Sequence, residues 1–159
     1  MSFDLSVIPN KNILLAVTGG IAAYKSAILV RRLKDAGFQV RVVMTEGAQA
    51  FITPLTFQAL SGNPVHTELL NPEAEAGMGH IELARWADLL LVAPASCNTI
   101  AKFAAGLADD LLSTLYLATK APVWVAPAMN QQMWAAKATQ RNLATLVEDG
   151  VHVIMPDAG

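Results

Sequence analysis

Five short apolar runs, Ile13–Val17, Val40–Met44, Leu89–Ala93, Val123–Ala126 and Val151–Met155, do most to limit what this chain can become. Each has the length of a strand and is apolar on both faces, as strands inside a parallel sheet are. Longer amphipathic stretches lie between them. Ile21–Ala36 carries Ile21, Tyr24, Ile28, Leu29 and Leu33 at helical spacing, with Gly37 as its stop. Pro54–Leu60 predicts a second helix ended by Ser61-Gly62. Ala101–Ala118 predicts another, with a break near Gly106, and Gln131–Glu148 a further one closed by Asp149-Gly150. Strands alternating with helices predict a doubly wound α/β domain, Rossmann-like or flavodoxin-like, in three layers around a parallel sheet. The connection Asn63–Gly79, with Pro64, Pro72, Gly77 and Gly79, is long enough to predict a functional loop. Asp157-Ala158-Gly159 comes directly after the last run, where a covering helix is expected, so residues 1–159 read as one domain of a longer polypeptide.

Charged residues make up only 15% of the chain and hydrophobic ones 53%, against roughly a quarter charged in an average soluble domain. No apolar run reaches the ~20 residues of a membrane helix. The surplus apolar surface therefore predicts burial between subunits of a homo-oligomer. A net charge of −2 gives no electrostatic reason to expect nucleic acid. Cys97 is the only cysteine, which excludes an internal disulfide, and the N-terminus carries no secretory pattern. A cytoplasmic location is expected.

The stretch Thr18-Gly-Gly-Ile-Ala-Ala-Tyr-Lys-Ser26 sits between the first strand and the first helix. Gly19, Lys25 and Ser26 match a phosphate-loop ATPase motif, but Tyr24 stands where its second glycine belongs. The dinucleotide pattern G-x-G-x-x-G fails as well. A glycine turn opening a helix still suits an anion, because backbone N–H groups and the helix dipole converge there. On this motif alone, a tight turn with no ligand stands level with that reading.

The other strand ends shift the balance. Thr45-Glu46-Gly47, Ser96-Cys97-Asn98-Thr99 and Ala128-Met129-Asn130 are small, polar loops opening helices at the same edge of the sheet. Such a crevice fits a flat mononucleotide with one phosphate, and flavin mononucleotide (FMN) better than ATP. Gly19, Gly20, Ile21, Thr45, Glu46, Gly47, Ser96, Cys97, Asn98, Thr99 and Ala128 are the candidate cofactor contacts. Cys97 is assigned through its backbone, not as a catalytic thiol.

Gly19-Gly20-Ile21, Gly79-His80-Ile81-Glu82-Leu83, Pro94-Ala95-Ser96-Cys97-Asn98-Thr99 and Pro127-Ala128-Met129-Asn130-Gln131-Gln132-Met133-Trp134 together resemble the flavin-containing cysteine decarboxylases. The likeness is greatest to members acting on phosphopantothenoylcysteine in coenzyme A biosynthesis. It implies an FMN-binding enzyme assembled as trimers, often trimers of trimers, with active sites between subunits. It further implies oxidation of a C-terminal cysteine thiol, loss of carbon dioxide and return of the electrons, giving 4′-phosphopantetheine.

By this resemblance His80 is the active-site base, a role that suits an imidazole with its ordinary pKa of ~6.5. Without the resemblance, a surface histidine beginning a helix is the simpler reading. Asn130 is a natural N-cap, and the resemblance adds contact with the substrate carboxylate; both roles are compatible. His80-x-Glu82 also opens a zinc deaminase pattern, but the Pro-Cys-x-x-Cys partner is absent, so no metal is expected. His66 and His152 have no comparable context. The family's reductive cysteine, on a segment closing over substrate, has no match in this chain. A peptidyl-cysteine decarboxylase, a flavin prenyltransferase and a non-catalytic flavin-binding subunit are the alternatives.

Overall fold

The computed structural model describes residues 11–69 and 78–155. Pro72 and Gly77 of the predicted loop, and the tail Asp157-Ala158-Gly159, lie outside them.

Strands β1 (Asn12–Val17), β2 (Gln39–Met44), β3 (Leu89–Ala95), β4 (Val123–Pro127) and β5 (His152–Val153) form one parallel sheet in the order β2-β1-β3-β4-β5. The order reverses beside β1, so the chain winds outward in both directions and leaves a switch point between β1 and β3. Ile13 faces both Val40 and Leu89 across the ladders. Near-continuous aliphatic sequence is what such a double-faced position requires.

The two faces are covered differently. Helices α1 (Ala23–Asp35) and α2 (Pro54–Ser61) cover one, where Ile13, Leu15, Val42, Leu91, Val30, Leu33 and Phe57 pack together. The other carries α3 (His80–Trp86), α4 (Cys97–Ala105), α5 (Leu111–Ala118) and α7 (Lys137–Glu148), over a core of Leu14, Leu90, Val92, Leu83, Ile100, Leu115 and Leu146. The short α6 (Gln131–Ala135) precedes α7. Leu14, Leu15, Leu90 and Leu91 are fully buried, each contributing roughly 1.5–3 kcal/mol relative to exposure. The doubly wound α/β expectation holds.

Three details depart from the sequence reading. First, α1 turns Ala23, Ser26, Val30 and Leu33 to the sheet, while Ile21, Tyr24 and Ile28 are exposed. Small residues are inside because they let the helix approach the strands closely. Second, Gln131–Glu148 is two helices, divided at Ala136, whose extended ψ of 137° interrupts the helical path. The break near Gly106 is real, with Gly106 left-handed at φ 71° after α4. Asp110 then starts α5, accepting from the Ser113 N–H at 2.8 Å in a capping box. Third, the run Val151–Met155 contributes only His152–Val153 as strand, and His152 and Met155 are exposed, as suits an edge with one neighbour.

Residues after α2 return along the free side of β2. Asn63 Nδ2 donates to the Val40 carbonyl at 2.9 Å, the His66 N–H donates to Val42 O, and Met44 N–H donates to His66 O, each at 2.9 Å. His66 is thereby buried, and its Nε2 has no hydrogen-bond partner. Burial, with a smaller contribution from the Arg41 guanidinium, holds its pKa below the ordinary 6.5. The unfolded chain therefore takes up this proton more readily than the folded one. His66's share of stability is present above about pH 6.5 and is lost as the pH falls toward the lower folded value. Urea midpoints at about pH 8 and pH 5 should fall on acidification, and fall less in His66→Leu. An equal fall in both proteins would show that His66 is not the group responsible.

Candidate functional site

The four predicted loops do meet. β1 ends at Val17, and the chain turns through Gly19 and Gly20, the latter at φ +147°. The N–H groups of Ala23, Tyr24 and Lys25 bond back to the carbonyls of Gly20, Ile21 and Ala22. No side chain caps α1. Those three amides are engaged within the turn, so what the start of this helix offers an anion at the sheet's carboxyl edge is its dipole and the backbone of the Gly19–Ala22 turn ahead of it. Ser26, which a phosphate-loop ATPase would turn toward magnesium, is buried and donates to the Ala93 carbonyl at 2.6 Å. The ATPase reading fails on this bond as well as on Tyr24.

Gly19 lies against Gly47 of the next loop. A Cβ on Gly19 would stand 3.2 Å from the Gly47 carbonyl carbon, so the two backbones come this close because Gly19 has no side chain. In the same loop Thr45 Oγ1 accepts the Ala48 N–H at 3.2 Å, and Glu46 is exposed. The Glu46 carboxylate would repel a phosphate, which leaves its backbone as the compatible contact.

After β3, Ser96 caps α4. Its Oγ accepts the Thr99 N–H at 3.1 Å and donates to Thr99 Oγ1 at 3.0 Å. With the Ser96 proton engaged, the Thr99 hydroxyl is the better side-chain donor of the pair. Cys97 Sγ lies 3.4 Å from Thr139 Oγ1 on α7, a contact that fits a backbone role for Cys97. Asn98 is exposed. After β4, the Ala128 N–H donates to Ala95 O at 3.1 Å, joining the third and fourth loops. Asn130 caps α6, its Oδ1 accepting the Met133 N–H at 2.9 Å. That engagement leaves the amide NH₂ to donate to a ligand. Met129 and Trp134 pack on the core, whereas Met133 is 44% exposed.

His80 begins a separate element, α3. The far end of α3 is fixed at the start of β1, where Asn12 Nδ2 donates to Trp86 O at 3.2 Å. Arg41 stands over the Trp86 ring at 5.4 Å. The opposite end of the helix begins with His80, which is half-buried.

The other shifted acids and bases lie elsewhere. The hydrogen bond that Lys102 donates to Asp109, and its contacts with Asp110, hold the Lys102 ammonium above its ordinary value against the opposing effect of burial. Burial pushes the Asp110 carboxyl up, but the Ser113 hydroxyl and N–H and Lys102 outweigh it and hold it down. This cluster secures the joint between α4 and α5. Among the described residues, no group of three or more His, Cys, Asp or Glu side chains is arranged to hold a metal ion. Nor is any helix long and apolar enough to cross a membrane.

Thr18, which sequence reasoning left unassigned, ties the first loop to the end of β3, as Ser26 ties α1 to it. The available signal was a hydroxyl immediately after an otherwise aliphatic strand.

The flavoprotein family model matches residues 4–159. The chain is 59% identical over 155 residues to the coenzyme A biosynthesis bifunctional protein CoaBC of Vibrio vulnificus strain YJ016, covering 98% of this chain and 39% of that protein. It thus spans about two fifths of the length of such relatives. Among solved structures, the FMN-dependent cysteine decarboxylase SpaF matches with a TM-score of 0.88 and 36% identity, over 96% of this chain and 88% of its own. A PPC decarboxylase mutant complexed with pantothenoylaminoethenethiol matches with a TM-score of 0.77 and 35% identity, over 92% and 82%. By its sequence and its sheet, this chain belongs to the flavoprotein family.

Proposed function

We propose that residues 1–159 act as one FMN-binding domain that decarboxylates 4′-phospho-N-pantothenoyl-L-cysteine to 4′-phosphopantetheine in the cytoplasm. The observation that carries the reading is the joining of four strand-end loops at one edge of the sheet, through the Gly19–Gly47 contact, the Ser96 N–H to Thr18 bond and the Ala128-to-Ala95 bond. The 59% identity to a coenzyme A biosynthesis protein supports the substrate.

The residues fit FMN: a capless helix start and two glycines without Cβ atoms suit its phosphate, and the loops Thr45–Gly47, Ser96–Thr99 and Ala128 suit the rest. When bound, FMN supplies a two-electron oxidant for the substrate thiol and later returns the electrons. His80 takes the proton from the substrate sulfur as the thiol carbon is oxidised to a thioaldehyde. The carboxylate then lies β to C=S, so the C–C electrons pass to sulfur as carbon dioxide leaves. The Asn130 amide NH₂ orients that carboxylate without a full positive charge, which would oppose its loss.

Self-association completes the proposal. Ile21 just before α1, Tyr24 and Ile28 on it, Leu55 on α2 and Phe51 just before α2 are exposed large apolar residues whose burial in a homo-oligomer, trimeric or larger, would remove them from water. The likeness to an EPID mutant complexed with the substrate peptide DSYTC supports a second substrate, a peptide ending in cysteine.

The test is anaerobic mixing of FMN-loaded protein with each substrate, following the flavin band and carbon dioxide, with mass measured by sedimentation. Bleaching and gas release with phosphopantothenoylcysteine support the proposal. Reaction only with the peptide would transfer the function to the second substrate, and protein that binds no FMN would end both readings.

A further inference from the structure

Thr18 is 0% exposed, yet its hydroxyl is fully engaged with a segment far along the chain. Oγ1 donates to the Pro94 carbonyl at 2.7 Å and accepts the Ser96 N–H at 2.8 Å. The Thr18 N–H also donates to Pro94 O, at 3.3 Å. The Pro94 carbonyl therefore keeps a partner if the hydroxyl is removed, whereas Ser96 N–H loses the one it has. Ser96 is the residue whose own Oγ holds the Thr99 N–H and Thr99 hydroxyl. A bonded path thus runs from the Gly19-Gly20 turn through Thr18 and Ser96 to Thr99.

We propose that Thr18 is a positioning residue for the flavin, the joint that sets the Gly19–Ile21 turn and the Ser96–Thr99 loop at the spacing one FMN molecule spans. This rests on the flavin reading above. The first two loops are matched by glycine contact and the last two by the Ala128-to-Ala95 bond. Thr18 supplies the remaining connection, between the first loop and the third. Without the hydroxyl, the Ser96 N–H is left unpaired in a half-buried place against the Thr18 side chain, and the loop must move to reach water. Two groups that meet one ligand would then no longer be in register.

The experiment measures FMN affinity of the apoprotein by fluorescence quenching, beside denaturant midpoints. Thr18→Val should raise the FMN Kd about tenfold or more, and Thr18→Ser, which keeps the hydroxyl, should remain within about threefold of the parent. Ser61→Ala is the control. It removes another fully buried hydroxyl, one bonded to Asn63 at the end of α2, and should lower the midpoint while leaving the Kd alone. Should Thr18→Val not fold, Thr18→Ala, which also lacks the hydroxyl that ties Ser96 to the first loop, takes its place with the same expectation. A parent-like Kd in the variant lacking the hydroxyl, a Ser variant as impaired as Val, or an equal Kd change in Ser61→Ala would each overturn the proposal. If the parent itself binds no FMN, the flavin reading fails first and this assignment with it.

Discussion

Replacing His80 by Asn should lower turnover of phosphopantothenoylcysteine by roughly 10²- to 10⁴-fold, the usual contribution of a positioned acid–base group. Asparagine can still donate a hydrogen bond at the start of α3, but it cannot take a proton from sulfur. His80 also begins the helix on its own element, outside the four joined loops. Flavin content and the denaturation midpoint should therefore stay close to those of the parent. Single-turnover absorbance separates the outcomes. Slow bleaching of a fully loaded variant supports the assignment, whereas parent-like bleaching would remove His80 from the chemistry. Loss of flavin instead would recast it as a cofactor contact.

An effect as large is expected from Gly19→Val, on binding rather than on chemistry. The Cβ alone would approach the Gly47 carbonyl carbon to 3.2 Å. What it meets is backbone, which cannot swing aside as a side chain can, and the valine methyl groups reach further. The loops must separate, and a displacement of about 1 Å at a binding constellation can reduce function by roughly 10²-fold. The protein should purify colourless, with an FMN Kd raised by about that factor. Gly20→Ala makes a useful comparison, because nothing lies within 4 Å of its added Cβ but its φ of +147° disfavours a side chain. There the loss comes from backbone strain of roughly 1–3 kcal/mol and not from contact. Gly19→Val that holds FMN like the parent would show that the two loops do not share the ligand.

Much of this architecture was legible because strands buried on both faces cannot be polar. The runs beginning at Ile13, Val40, Leu89 and Val123 announced four strands, and their alternation with amphipathic segments implied the parallel sheet. Helix faces were harder. The size of Ile21, Tyr24 and Ile28 drew attention to the wrong side of α1, since helical spacing identifies a stripe but does not say whether the sheet or another surface receives it. Ala23 and Ser26, the residues actually inside, are too small to register in such a reading. The interruption at Ala136 had no glycine or proline to announce it, unlike that at Gly106. In the site, the loops could be named from their small and polar residues, and Asn130 as an N-cap was plain. That Thr18 joins two of them was not, because a hydrogen bond spanning 76 residues leaves no local pattern.

The placement of β1 between β2 and β3 also has a kinetic meaning. The β1–β2 ladder closes over one helix, but the β1–β3 ladder must bring together residues such as Ile13 and Leu89 across most of the N-terminal half. Pairing at that separation carries a loop-closure entropy and slows folding. The Thr18-to-Ser96 joint straddles this same seam, so the crevice is assembled only once the slowest pairing has formed. A ligand seated there would grip contacts absent from the folding transition state. It would therefore delay unfolding far more than it would hasten folding, and act as a latch on the finished sheet, not as a template for its assembly.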